Sequence, residues 1–119
     1  MTMMLSNNTF ERTKVRATRS ALFAAIDEAV SLLDAVKEQH WALKLKRDRA
    51  LVDAGNAAGV DHLLAEFGGT GSMSALYLCR TNGHDVSERQ EIEINAQLHV
   101  IRTRVHDLAA ELKRQRNMV

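Results

Sequence analysis

Glycine is the only strong helix-breaking residue available to this chain, which contains no proline. The glycine positions therefore divide the sequence, because elsewhere the backbone meets little local resistance to continuing a helix. Three of the six glycines fall inside one short segment, Phe67-Gly68-Gly69-Thr70-Gly71-Ser72. Around that segment the chain is rich in Ala, Leu, Glu, Arg and Lys, while aromatic residues make up only 4%. Such a composition favours helix throughout. A length of 119 residues supports one core. The expectation is an all-α, single-domain bundle of four to five helices over residues 9–116, with a disordered tail at 1–8 and a frayed end at 117–119.

Apolar spacing places the elements. Asn8 and Glu11 form a capping pair that opens a first helix, whose stripe runs Leu22, Ile26, Ala29, Leu33, Val36 and is widened by Phe23 and Val30. A second helix from about His40 to Ala54 carries Trp41, Leu45 and Val52 on one side and Lys44, Lys46, Arg47 and Arg49 on the wet side. No glycine separates these two helices. A break is nonetheless expected at Lys37 to Gln39, because one helix from 9 to 54 could not fold back to bury its own stripe. Gly55-Asn56-Ala57-Ala58-Gly59 reads as a turn, and a short helix through Val60, Leu63, Leu64 and Phe67 follows. Gly68 is expected as the left-handed terminator of that helix, with Gly69 to Gly71 reversing the chain.

Beyond the glycine segment, Ser72 or Ser74 should cap a brief helix containing Met73, Leu76, Tyr77 and Leu78, followed by a loop at Thr81 to Asp85. The last helix has the clearest signal. Ser87 and Gln90 make a capping box, and Ile94, Leu98, Ile101, Val105, Leu108 and Leu112 repeat in alternating steps of four and three. That seam is shorter than three full heptads, which favours packing inside the bundle over a homodimer, the alternative for the same stripe. Leu22, Ile26, Leu33, Trp41, Leu64, Phe67, Leu98, Ile101, Val105 and Leu108 are expected to be buried together.

Charge and chemistry exclude more than they select. The net charge is +1, so no global field draws nucleic acid or an anionic membrane. Basic clusters at Arg12 to Arg19, Lys44 to Arg49 and Lys113 to Arg116 are interleaved with Asp27, Asp34, Asp48 and Glu111, and read as solvated helix faces. A nucleic-acid-associated regulator using them is the weaker alternative. No apolar run approaches the ~20 residues of a membrane span, and the lone Cys79 fits a reducing cytoplasm.

The glycine segment lacks the Lys that a phosphate-binding Walker loop requires, although an anion nest or a small ligand-binding bundle centred on Gly68 to Gly71 is a further alternative. His62 with Glu66, and His99 with His106, fall short of a zinc or di-iron ligand set. His40 beside Trp41 reads as a packed structural pair. No catalytic, cofactor-binding or metal-ligating residues are expected.

His40-Trp41, then Gly55, then Leu63-Leu64 leading into the glycine segment, with Asn95 early in the last helix, resembles a family of short bacterial helical proteins of unknown function. That family is marked by an HW pair and an FGGMGS-like segment. Thr70 stands here where the family usually has Met, and Ser74-Ala75 where an Asn-Asp pair is common, so no role for that acid carries over. The resemblance implies a helical fold, and the family has no assigned activity. Small helical proteins of this kind resemble those encoded beside polymorphic toxins, which makes a non-enzymatic immunity protein bound to a cognate toxin the expected function. Its contact surface is expected at Lys44, Arg47 and Arg49, at Gly69, Thr70 and Ser72, and at His84 and Asp85.

Overall fold

A computed structural model describes residues 2–68 and 71–117, with side chains from residue 9 onward. The expected roles of Gly69 and Thr70 therefore lie outside the described residues, as do positions 118 and 119 of the expected frayed end. Four α-helices form the bundle: α1 (Thr2–Ala35), α2 (Gln39–Asp53), α3 (Ala58–Ala65) and α4 (Glu88–Asn117). Two single 3₁₀ turns, Met73–Ala75 and Arg80–Asn82, lie between α3 and α4. The fold is all-α among the described residues, as composition and periodicity require. Helix α1 begins at Thr2, within the stretch expected as a tail, so Asn8 is inside the helix and not at its cap. No glycine or proline interrupts residues 2–35.

The two long helices run antiparallel. Gln115 near the end of α4 donates to Thr18 Oγ1 at 3.1 Å, while Arg104 meets Glu28 at 3.4 Å one stretch further along. Leu22, Ala25, Ile26, Ala29, Leu33 and Val36 form the buried face of α1, against Leu98, Val105, Ala109 and Leu112 of α4. Six of the ten expected core residues are fully buried. The other four, Leu64, Phe67, Ile101 and Leu108, are partly buried against the same cluster.

The break between α1 and α2 is made without glycine. Lys37 N–H donates to Asp34 O at 3.1 Å and Glu38 N–H to Leu33 O at 2.8 Å. This is the paired bonding of a Schellman cap, and it forces Lys37 into the left-handed region at φ 63°. Glu38 then starts α2 by accepting Trp41 N–H on Oε2 at 3.1 Å. At the end of α2 the same bonding recurs with the expected residue: Gly55 N–H reaches Val52 O and Asn56 N–H reaches Leu51 O, with Gly55 at φ 76°. Asn56 Oδ1 accepts Ala58 N–H at 2.9 Å and opens α3, closing a tight antiparallel hairpin of α2 and α3. Gly59 is where these helices touch. A Cβ there would lie 2.8 Å from Val52 N and 2.9 Å from Leu51 Cβ.

Three local expectations are corrected. Gly68 has no positive φ, and a Cβ on it would meet only Ala65 O at 3.8 Å; among the described residues of the segment the left-handed one is Gly71, at φ 76°. The brief helix expected over Met73 to Leu78 is a single 3₁₀ turn followed by extended chain at Leu76. The cause lies in α4. Asn95 accepts Leu78 N–H at 2.7 Å and donates to Leu78 O at 2.8 Å, taking both backbone groups a helix would use. Arg102 likewise donates to Met73 O and Leu76 O, at 3.3 and 2.8 Å. At the start of α4 one half of the expected capping box forms, with Gln90 Oε1 accepting Ser87 N–H at 3.4 Å, while Gln90 N–H donates to the Ser87 carbonyl at 3.0 Å.

Replacing Lys37 by glycine should stabilise the protein by about 0.5–1 kcal/mol, since the left-handed cap then carries no Cβ. In contrast, Gly59→Ala should cost roughly 1–3 kcal/mol through overpacking against α2 backbone, whereas Gly68→Ala should change stability by less than about 0.5 kcal/mol. Urea denaturation of the three variants checks the order. A Gly68 variant more damaging than the Gly59 variant would reverse this account of which glycine is structural.

Candidate functional site

The α2–α3 hairpin and the glycine segment enclose an open recess of about 540 Å³. Helix periodicity aims the α2 contribution: Trp41, Lys44, Asp48 and Leu51 follow at steps of three and four, and so share one face. From α3 come His62 and Glu66, again one turn apart, and the glycine segment adds Gly68, Gly71 and Ser72. The segment is held shut by Met73 N–H on Glu66 O at 2.8 Å and by the Ser74 hydroxyl donating to Phe67 O at 2.8 Å.

Buried polar groups line this recess. Asp48 is 4% exposed and Ser72 7% exposed, and Ser72 Oγ has no hydrogen-bond partner among the described residues. Asp48 Oδ2 and Glu66 Oε2 are buried acceptors that no N–H or hydroxyl among the described residues reaches, so a proton on one carboxyl supplies the bond between them. Burial raises the Glu66 carboxyl from its usual 4.5 to about 8, helped by its hydrogen bond to Asp48 and by that neighbour's charge, and opposed by Lys44. Burial also raises Asp48, while its hydrogen bond to Glu66 and the charges of His62 and Lys44 pull it down. Two carboxyls this close hold one proton between them near neutral pH. No ion pair among the described residues reaches either carboxyl. The Lys44 ammonium lies over the Trp41 ring at 4.8 Å, and Arg47 stands exposed at the rim.

The structure gathers some of the expected contact residues here and disperses others. Lys44, Arg47 and Ser72 line the recess. Arg49 does not, because it turns to α1, makes a bidentate pair with Asp27 at 2.8 and 3.1 Å and stacks on Phe23 at 4.5 Å. His84 is not an exposed contact either, being 6% exposed. Its Nδ1 lies 3.1 Å from Cys79 N and 3.2 Å from Cys79 O, and its Nε2 lies 2.9 Å from Glu38 Oε1. Asp85 is exposed but lines a separate depression with Val36, Val86 and Gln90. His40 packs edge-on against Trp41 at 5.5 Å, while the cap at this junction comes from Glu38. The other basic side chains largely face acids: Lys46 meets Asp34, Lys113 and Arg116 meet Asp61, and Arg114 pairs with Glu111.

Sequence reasoning missed the carboxyl pair: Asp48 was read as part of a solvated face, and Glu66 was weighed only beside His62 as a metal ligand. The available signal was register. Asp48 sits three residues after Leu45 and four before Val52, inside the apolar stripe of α2, where a carboxylate is out of place without a purpose or a partner.

Residues 34–87 match the family described as a domain of unknown function, DUF6966. The matched stretch starts just before the α1–α2 break and ends at the capping serine of α4, so every residue of the recess lies within it. No curated protein and no solved structure gives a significant match to the chain.

The raised carboxyls set a pH dependence of stability. Because the folded pKa of Glu66 lies above its unfolded value, the native state holds the extra proton between about 4.5 and about 8. Stability contributed by that proton is complete below the lower value and is lost as pH rises through the upper one. Asp48 acts in the same sense. Glu66→Gln keeps the protonated shape, and should match the wild type near pH 5 while exceeding it near pH 9 by on the order of 1–3 kcal/mol. Thermal unfolding across that range checks the sign. A variant less stable than the wild type at high pH would remove the shared proton from the site.

Proposed function

We propose that this chain is a non-catalytic protein-binding module, most concretely an immunity protein that neutralises a bacterial toxin by stoichiometric contact, with the α2–α3 recess as its point of recognition. The observation that carries this reading is an open recess lined by the buried side chains of Asp48 and Ser72, with Glu66 hydrogen-bonded to Asp48. Burying carboxyl groups costs free energy in the isolated chain. A partner that brings further hydrogen bonds to them offsets that cost on binding. The outer face of α2 supplies a contact rim: Leu43 is half exposed, and Arg47 follows it by one turn. An apolar side chain beside an exposed arginine is a common composition of protein contact surfaces. The small helical fold accords with this reading, and the near-neutral charge points away from a strongly basic target and toward contact by shape and apolar surface.

A second reading, a small-ligand-binding bundle, draws on the same recess. Its volume of about 540 Å³ is within the range of small-molecule sites, and Gly68, Gly71 and Ser72 line it. Thermal stabilisation by a panel of metabolites, with no protein captured, would favour that reading over the first.

Co-expression with the product of the adjacent gene tests the proposal. The chain should rescue cells from that product, and calorimetry of the purified pair should give a stoichiometry near one. Arg47→Glu should weaken the complex by at least about tenfold, or roughly 1.4 kcal/mol, while leaving the melting temperature within a few degrees of wild type. Rescue at strongly sub-stoichiometric amounts, with chemical change in the toxin, would identify an enzyme and end this reading.

A further inference from the structure

We propose that a second depression, between α4 and the chain at residues 67–74, binds the phosphate group of a small phosphate monoester, with Arg102, Thr103 and His99 as its donors. It shares no lining residue with the α2–α3 recess, and the inference does not rest on the protein-binding reading.

Helix register builds the site. His99, Arg102, Thr103 and His106 follow at steps of three, one and three, so each stands one turn from two of the others. All four therefore share one face of α4, with about 5–6 Å between the Cβ atoms of neighbours one turn apart. Phe67 and Ser74 form the opposite wall, and the space between is about 250 Å³. Three contacts hold the walls together. Arg102 Nη1 donates to Met73 O at 3.3 Å and to Leu76 O at 2.8 Å, and the Phe67 ring meets the His106 ring edge-on at 5.3 Å. The Ser74 hydroxyl donates to Phe67 O, so it fixes that wall and its proton is already used.

Arg102 is the decisive group. With Nη1 held by two carbonyls, its Nε–H and Nη2 donors have no partner among the described residues. Those carbonyls are neutral, and no ion pair among the described residues includes Arg102 or His99. Burial lowers the Arg102 pKa, and no acid beside it works in the other direction. A half-buried, oriented guanidinium with an unbalanced charge and a free fork suits an oxyanion. A carboxylate would occupy the fork alone, whereas the three terminal oxygens of a phosphate monoester also accept from the Thr103 hydroxyl and the His99 ring, both exposed. Asp107 touches a lining residue, with Oδ1 3.1 Å from His106 Nδ1, but does not itself line the depression; His106 is accordingly a wall here and not a counted donor. Phe67 offers an apolar surface to the group that carries the phosphate, and the space exceeds what a bare phosphate ion fills, which selects an ester.

The test titrates the full chain at neutral pH with phenyl phosphate, phenyl sulfate, inorganic phosphate and a phosphoserine tripeptide, following backbone amide signals by NMR. Phenyl phosphate should bind with a Kd of about 1 mM or below, at least about tenfold more tightly than phenyl sulfate, whose charge is smaller. Signals from residues 73–76 and 99–106 should move. Arg102→Lys keeps the charge but not the fork, and should weaken binding by at least about tenfold. Because Arg102 also holds the 73–76 backbone, the exposed His99→Gln and Thr103→Val give a second measure. Each should lower affinity by about threefold or more without moving the melting temperature. No saturable binding at about 10 mM, equal affinity for the phosphate and the sulfate, or full affinity in both exposed variants overturns the proposal. Shifts centred on Lys44 and Asp48 overturn it as well, by moving the ligand to the other recess. Inorganic phosphate that binds as tightly as phenyl phosphate overturns the ester, and a tripeptide that binds more tightly than phenyl phosphate overturns the small molecule as its source. None of these outcomes depends on a protein partner, so either reading can fail while the other stands.

Discussion

The Glu38 carboxylate is the contact on which the arrangement of the shorter elements depends. One of its oxygens caps α2 through Trp41 N–H, and the other meets His84 Nε2. The first bond fixes where α2 begins after the forced left-handed turn at Lys37. The second anchors the 79–84 loop to that same point, and Asp85 N–H on Val36 O at 2.9 Å adds a backbone tie one residue later. The His84 ring meets the Cys79 backbone through Nδ1 and Glu38 Oε1 through Nε2, so both of its nitrogens have partners, which is why a residue with the character of a surface group is interior here. The end of α1, the start of α2 and the approach to α4 are thereby joined at a single carboxylate.

On the other side of the molecule, α4 acts through polar side chains as well as its apolar seam. Asn95 and Arg102 reach the backbone of residues 73–78 and supply donors and an acceptor to a segment with little secondary structure of its own. Irregular chain can be buried only when its backbone groups are paired, and Leu78 and Met73 are accordingly able to enter the core. The floor of the recess is treated differently: the Ser72 hydroxyl, adjacent to Met73, is buried without a hydrogen-bond partner among the described residues.

Much of the fold was legible because it follows from periodicity. The stripes of α1 and α4, the capping box at Ser87 and Gln90, the glycine turn at 55 and the break before Gln39 all express local chemistry or the need to bury a continuous apolar face. What was not legible depends on distant partners. Gly68 looked like the left-handed helix terminator, yet it has no positive φ while Gly71 does, and Met73 N–H on Glu66 O and the Ser74 hydroxyl on Phe67 O tie the far side of the segment to the end of α3. His84 looked like a loop residue because its partner lies 46 positions away. Met73 to Leu78 looked helical because its propensity is sound, and only the Asn95 and Arg102 side chains reveal why the helix does not form. The candidate site was half visible: the glycine segment and the Lys44 and Arg47 side of α2 were marked, while the buried carboxyls that define its chemistry were not.

The carboxyl pair also explains why α2 and α3 must approach so closely. In the antiparallel hairpin, Gly59 touches Val52 and Leu51 two turns before Glu66 meets Asp48. A side chain at Gly59 would move α3 outward from backbone that cannot yield, and the displacement would carry Glu66 away from Asp48. With the two acids apart, each would regain solvent and lose the neighbour that helps hold the proton on Glu66. The small residue at the helix contact therefore does more than avoid a clash. It sets the separation at which two carboxyls share a proton, and so decides whether the recess presents one buried charge or two to whatever enters it. Packing in the hairpin and electrostatics in the recess are in this sense one feature, fixed by a residue that lines neither the core nor the site.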